Sequence, residues 1–218
     1  MASGKDDRRF GEQPLAQTVA AAAAIRRLMG MLLRLEHPQP AVDAMLAQFA
    51  DWERELAHVV PPDSEPRRDT DGDHKRVYLG HAFDIGAFNP CFPEYRFDHL
   101  DAETASGTVA FPLVFEGPPG LVHGGFLAVF FDCVTQHQNC AVARTGRTRS
   151  LTVTFRRPTP VLTDLHFDIV RSERDQAVTS TARILHDDQV LCIGEFTAVA
   201  MAPEQLTVSR FGRRREVR

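Results

Sequence analysis

With 218 residues and a formal charge of −4, the chain is long enough for one ordinary domain plus an extension, and its charge gives no ground for nucleic acid or an anionic membrane as partner. Its four cysteines, Cys91, Cys133, Cys140 and Cys192, form no CxxC pair, and three lie in apolar segments, so free thiols in a reducing cytoplasmic setting are expected. Met1 to Gln13 is polar and charged rather than a signal pattern, and the Ala20–Ala24 run meets Arg26 and Arg27 at once, which argues against a membrane span.

Residues 1–13 lack periodicity and read as disordered. From about Pro14 to Glu36 a helix is expected, with Ile25, Leu28, Met29, Leu32 and Leu33 on one face and Pro38 and Pro40 stopping it. A second helix, about Ala41 to Val59, carries Val42, Met45, Leu46, Phe49, Trp52, Leu56 and Val59 as an apolar stripe and ends at Pro61-Pro62. Residues 1–60 thus form a helical extension, read as padding of the core or as a regulatory or docking element. Residues 61–76 are a polar linker. Within it Asp69-Thr-Asp71-Gly-Asp73 has a calcium-loop look, but the twelfth position is Gly80 instead of Glu and the flanks are not paired helices, so no metal is expected.

The core domain is placed at 77–202, beginning with Val77–Leu79, followed by a loop or short helix over Phe83–Pro93. Tyr95–Leu100 and Thr104–Phe115 read as strands, the second with Val109, Phe111, Leu113 and Phe115 alternating. Then a Pro/Gly-rich loop, Gly117-Pro-Pro-Gly120, runs into His123-Gly124-Gly125 and a helix of about twenty residues. Phe126, Val129, Phe130, Cys133, Val134 and His137 recur along it at steps of three and four, and Leu127 and Phe131 widen the apolar surface. Further strands carry Leu151, Val153 and Phe155, then Leu165, Phe167 and Ile169. Two more run about Ala177–Leu185 and Val190–Ala200, around a tight turn at His186–Gln189. A meander of long strands after one helix excludes a parallel βαβ design and points to an α+β fold, an antiparallel sheet wrapped around one central helix. The basic tail, 203–218, reads as loose.

Chemistry concentrates at the start and middle of that helix. A helix N-terminus offers unpaired N–H groups at a positive dipole end, and Gly124 and Gly125 leave no side chain to keep a carbonyl oxygen away. Such a site suits an oxyanion; the same glycines would also let the helix pack tightly on the sheet. Asp132 is an acid amid apolar residues, costly unless paired or opening onto a polar cavity, and is the candidate base or nucleophile. Seven residues separate it from Gly125, roughly 10 Å along the axis, too far for both to act on one carbonyl within one chain. Two such helices antiparallel across a two-fold axis would bring Gly125 of one protomer to Asp132 of the other. His123 is expected to fix the loop by hydrogen bonding, and no GxSxG elbow is present.

His-Gly-Gly with Asp nine residues after the His resembles the hotdog-fold thioesterases of the PaaI-like subfamily. Glu116-Gly-Pro-Pro-Gly-Leu-Val-His-Gly-Gly is similar to the THEM-type acyl-CoA thioesterases, as is the strand Thr148-Arg-Ser-Leu-Thr-Val-Thr-Phe-Arg-Arg-Pro158-Thr-Pro160. The resemblance covers residues 77–202. It implies a hotdog fold, hydrolysis of acyl-CoA or acyl-carrier-protein thioesters without a cofactor, and a homodimer or dimer of dimers with shared sites. It also implies a hydroxyl at Thr148 near the Asp or the attacking water; a strand-edge Thr without a role is the alternative. One departure is Gly117, where some smaller relatives carry an Asn, and Asn89 is the candidate for a substitute amide, although Asn-Pro is commonly just a turn. Arg156 and Arg157, with Arg144 and Arg147, are candidates for CoA phosphates. A non-catalytic acyl-thioester-binding module is the competing reading.

Overall fold

The structure, a computed structural model, describes residues 15–60, 85–142, 146–175 and 177–200. Residues 1–13, the linker 61–76 with its calcium-like loop, Val77–Leu79, Arg144 and the tail 203–218 lie outside the described residues.

Among the described residues six strands form one antiparallel sheet: β1 (Tyr95–Leu100), β2 (Thr104–Ala110), β3 (Gly146–Phe155), β4 (Asp164–Arg174), β5 (Ala177–His186) and β6 (Gln189–Ala200). Their order is β1-β2-β4-β5-β6-β3. The meander is therefore real only for β4-β5-β6; β3, the first strand after the helix, lies beyond β6 and makes one edge of the sheet. β5 and β6 join through Asp187 and Asp188, both at positive φ (47° and 62°), the two-residue hairpin turn whose twist suits the strands.

The helix α3 (Gly124–Ala141) lies against one face of the sheet. Leu127, Phe130, Phe131, Val134 and Gln138, recurring at steps of three and four, are among its buried residues. The sheet answers with Leu165, Phe167 and Ile169 from β4, Ala182 and Ile184 from β5, and Cys192 from β6. Phe130 stacks edge-on against Phe167 at 5.4 Å and Phe111 at 5.7 Å. Gly194 is required on β6, since a Cβ there would stand 2.5 Å from the Phe131 ring. Strand β2 stops at Ala110 rather than running to Phe115. Pro112 has no N–H to give a ladder, and Leu113–Phe115 instead make one 3-10 turn that buries Phe115.

The N-terminal helices depart from their sequence pattern. Helix α1 (Ala16–Leu32) leaves Ile25, Met29 and Leu33 exposed and buries Ala22 and Arg26. Helix α2 (Pro40–Ala57) has no buried residue, and Leu46, Trp52, Leu56 and, just past its end, Val59 are exposed. Pro40 opens α2 at its first turn, where the missing N–H is harmless, rather than stopping α1. Packing, not the apolar stripe, decides: α1 rests on the 3-10 turns Ile85–Ala87 and Leu113–Phe115. Arg26, 4% exposed, fixes it there through Glu94 Oε2 (2.5 Å), the Gly86 carbonyl (2.5 Å) and the Phe92 carbonyl (3.3 Å). Leucine at 26 would remove all three of these donations and the ion pair with Glu94. Arg26→Leu is expected to lower stability by about 2–3 kcal/mol, a fall of roughly 5–10 °C in the thermal midpoint. An unchanged midpoint would show that α1 is not held through this guanidinium.

Burial pushes the Cys140 and Cys192 thiols up to about 11. Alkylation runs through the thiolate, so at pH 8 the reactive fraction at each is about 10⁻³, roughly a hundredfold below a thiol at its ordinary value. Cys91 is exposed. Iodoacetamide labelling, mapped by peptide mass, should mark Cys91 first, with Cys140 and Cys192 speeding up only as pH climbs toward 11. Equal rates at pH 8 would contradict the burial.

Candidate active site

The loop before α3 is locked by its own hydrogen bonds. The N–H of Gly117 donates to the Leu121 carbonyl (2.9 Å), that of Gly120 to Glu116 Oε1 (2.6 Å), and that of His123 to the Phe115 carbonyl (2.9 Å). Val122 N–H donates to the Thr159 carbonyl, and Val161 N–H to that of Gly120, which ties the loop to the chain following β3. Gly120 takes φ +79°, the left-handed conformation the turn needs. Gly117 has a different reason. A Cβ there would come within 2.9 Å of both Cα and Cβ of His123, so the loop excludes an Asn at this position.

His123 caps the helix. Its backbone is extended (φ −64°, ψ 131°), and its Nδ1 accepts from the N–H of Gly125 at 3.0 Å, which leaves the ring proton on Nε2. The two glycines are therefore not equivalent. Gly125 N–H is occupied by the cap and Phe126 N–H by the His123 carbonyl (2.9 Å), whereas the Gly124 N–H has no acceptor among the described residues. The Phe155 ring, 58% exposed on β3, lies over it: a Cβ on Gly124 would stand 2.9 Å from Cζ of that ring.

Asp132 is half-buried on α3, two turns on. The Thr148 hydroxyl donates to its Oδ1 at 2.8 Å, and Gln136 Nε2 donates to Thr148 Oγ1 at 2.9 Å. A bulge makes this possible. On β3, Thr148 pairs with Ala198 and Ser150 with Thr197, so Arg149 is the extra residue. Strict alternation from Leu151 and Val153 would turn Thr148 to the other face; the extra residue returns it to the face of Ala198 and Phe196, toward α3. Gln136, one turn after Asp132, was not singled out from the sequence; its spacing of four from the acid was the available signal.

The other candidates have partners of their own. Asn89 Oδ1 accepts from Cys91 N–H at 3.1 Å in a turn beside Arg26, so its amide oxygen closes a turn. Arg156 and Arg157 follow Phe155 at the end of β3. Both N–H groups donate to the Leu191 carbonyl, and the Arg157 guanidinium reaches the Val190 carbonyl at 3.3 Å, leaving both side chains exposed. Arg147 is exposed on β3. Among the described residues no group of three or more His, Cys, Asp or Glu is placed to hold a metal ion, and no helix is long and apolar enough to cross a membrane.

An antiparallel sheet wrapped on one long helix that starts at His-Gly-Gly is the hotdog fold. Among solved structures the chain is similar to a thioesterase superfamily protein, with 25% identity, a TM-score of 0.69, and 84% of this chain matched to 90% of that one. So large a share reaches past the sheet and α3 into the N-terminal helices. Shorter likenesses are to a hypothetical thioesterase with coenzyme A from Streptococcus pneumoniae (14% identity, TM-score 0.47, 50% of this chain, 87% of that) and to a putative thioesterase, phenylacetic acid degradation-related, from Ralstonia eutropha (17%, 0.43, 48% and 83%). No family model matches the chain, and no curated protein matches it in sequence. The chain is a hotdog protein built on the plan of the thioesterase superfamily.

Proposed function

We propose that the protein hydrolyses acyl-CoA or acyl-carrier-protein thioesters to the free acid and thiol, acting in the cytoplasm as a homodimer or dimer of dimers. One observation carries the reading: a half-buried carboxylate, Asp132, has one oxygen held by Thr148 on a helix whose first N–H, that of Gly124, is open. The thioester carbonyl oxygen accepts from that N–H at the positive end of α3, where negative charge grows as the carbonyl carbon becomes tetrahedral. The free Oδ2 of Asp132 takes a proton from the water that attacks the acyl carbon, or attacks that carbon itself and is released by water. In either route the C–S bond breaks, the thiolate leaves and is protonated, and the acyl group gains one oxygen from water. His123 holds the loop. Arg156 and Arg157, next to the Phe155 ring that lies on Gly124, are suited to CoA phosphates.

The dimer is supported by two features. Eight residues separate Gly124 from Asp132, about 12 Å along the helix, beyond what one carbonyl can span. Strand β3, ten residues long, pairs only with β6 and presents an open edge among the described residues. Pairing two such edges about a two-fold axis sets the α3 helices antiparallel, with Gly124 of one protomer toward the other protomer's acid.

Thiol release across a panel of acyl-CoA and acyl-carrier-protein thioesters tests the activity. Turnover of at least one acyl class is expected, with Arg156→Ala and Arg157→Ala raising KM for CoA thioesters about tenfold and leaving acyl-pantetheine nearly unaffected. Tight binding of acyl-CoA with no thiol released would make the protein an acyl-thioester-binding module instead.

A further inference from the structure

Gln136 stands outside the reaction as proposed, yet it is joined to the acid. Its Nε2 lies 2.9 Å from Thr148 Oγ1 and 3.5 Å from the Gly146 carbonyl oxygen. A carbonyl oxygen only accepts, so the Gln136 atom facing β3 is the amide nitrogen, and its N–H groups point at the strand. Thr148 Oγ1 is thereby an acceptor toward Gln136, which leaves its single proton for another partner. The acceptor in reach is Asp132 Oδ1, at 2.8 Å. The chain thus has one direction, from the Gln136 amide through the Thr148 hydroxyl to the Asp132 carboxylate. No hydrogen bond reaches Oδ2 from the described residues.

We infer that Gln136 is a positioning residue which, by donating to Thr148, aims the Thr148 hydroxyl proton at Asp132 Oδ1 and so reserves Oδ2 as the oxygen that meets water or the acyl carbon. This deepens the thioesterase reading and rests on it for its kinetic consequences. Without the Gln136 donor, the Thr148 hydroxyl rotates among its staggered positions and can accept from water, so Oδ1 loses its fixed partner and the two carboxylate oxygens compete for one role. Because Gln136 acts on the carboxylate rather than on bound substrate, its loss falls on kcat and leaves KM in place.

The test is a cycle of Gln136→Met, Thr148→Val and the double variant. Met keeps nearly the same shape and length without a donor. Gln136→Met is expected to lower kcat about five- to tenfold, the scale of one net hydrogen bond, with KM and the thermal midpoint unchanged. The double variant should be no slower than Thr148→Val alone, because Gln136 has nothing to aim once the hydroxyl is gone. Wild-type kcat in Gln136→Met, or losses that multiply in the double variant, would overturn the inference while leaving hydrolysis itself standing. A second readout needs no turnover: the side-chain amide signals of Gln136 in the ¹H–¹⁵N spectrum should move, and their exchange quicken, in Thr148→Val. If no thioester is hydrolysed but those signals respond, the proposed function falls and the directed chain survives. If they do not respond, the chain itself is absent.

Discussion

Replacing Asp132 by Asn is expected to cut thioester hydrolysis by at least ~10²-fold, the usual scale for losing a general base, in a protein that folds normally. The substitution is close to isosteric, and the amide oxygen still accepts the Thr148 hydroxyl that Oδ1 accepts at 2.8 Å. Packing is not at risk either, since Asp132 is only half-buried and the deep face of α3 belongs to Leu127, Phe130, Phe131 and Val134. What disappears is the negative charge and a basic second oxygen, the feature both chemical routes need. Thermal midpoints and circular dichroism matching the parent, alongside the fall in kcat/KM, separate a chemical loss from misfolding. Turnover near that of the parent in a purified Asn variant would remove Asp132 from the chemistry. Acyl-CoA binding is expected to persist, because the proposed contacts to CoA come from Arg156 and Arg157.

Periodicity made the centre of this fold readable. Leu165, Phe167 and Ile169 alternate and are all at most 1% exposed, and the α3 stripe falls on the sheet as its three- and four-residue spacing requires. Where single residues decide, the pattern was silent. Thr148 faces the acid because Arg149 is bulged, and no alternation of residue types marks a bulge in advance. The cap from His123 Nδ1 is a local contact that makes Gly124 and Gly125 different although they look alike in sequence. Helix α1 is the opposite case, a clear apolar stripe left exposed while Arg26 goes inside. The reason is long-range: the carboxylate of Glu94 and the carbonyls of Gly86 and Phe92 belong to a segment about sixty residues away, and only the tertiary fold brings them to one guanidinium. Arg26 ties α1 to residues 86–94, α1 also rests on the turn Leu113–Phe115, and the Phe115 carbonyl accepts from His123 N–H at 2.9 Å.

Two inactive variants are expected to restore activity together if the site is shared between protomers. In one, Gly124→Val sets a side chain beside the open N–H; the nearest obstacle is the Phe155 ring at 2.9 Å, an exposed side chain that can swing away, so the fold should hold. In the other, Asp132→Asn removes the acid. Each alone should be inactive. In a mixed dimer with antiparallel α3 helices, one site joins both lesions, while the other joins an intact Gly124 from one chain to an intact Asp132 from its partner. Random assembly makes about half of the dimers mixed, so about a quarter of parental activity should return, given a single two-fold interface. Were both groups to serve a site within one chain, every protomer in the mixture would still carry a lesion and nothing would return. The two variants are co-expressed with different tags, the doubly tagged dimers isolated, and their composition confirmed by mass. Tandem selection removes the inactive homodimers, so the expected activity of that fraction rises to about half of the parent. Inactive mixed dimers would sink the shared site and return the problem to one chain, where about 12 Å of helix still separates the donor from the acid.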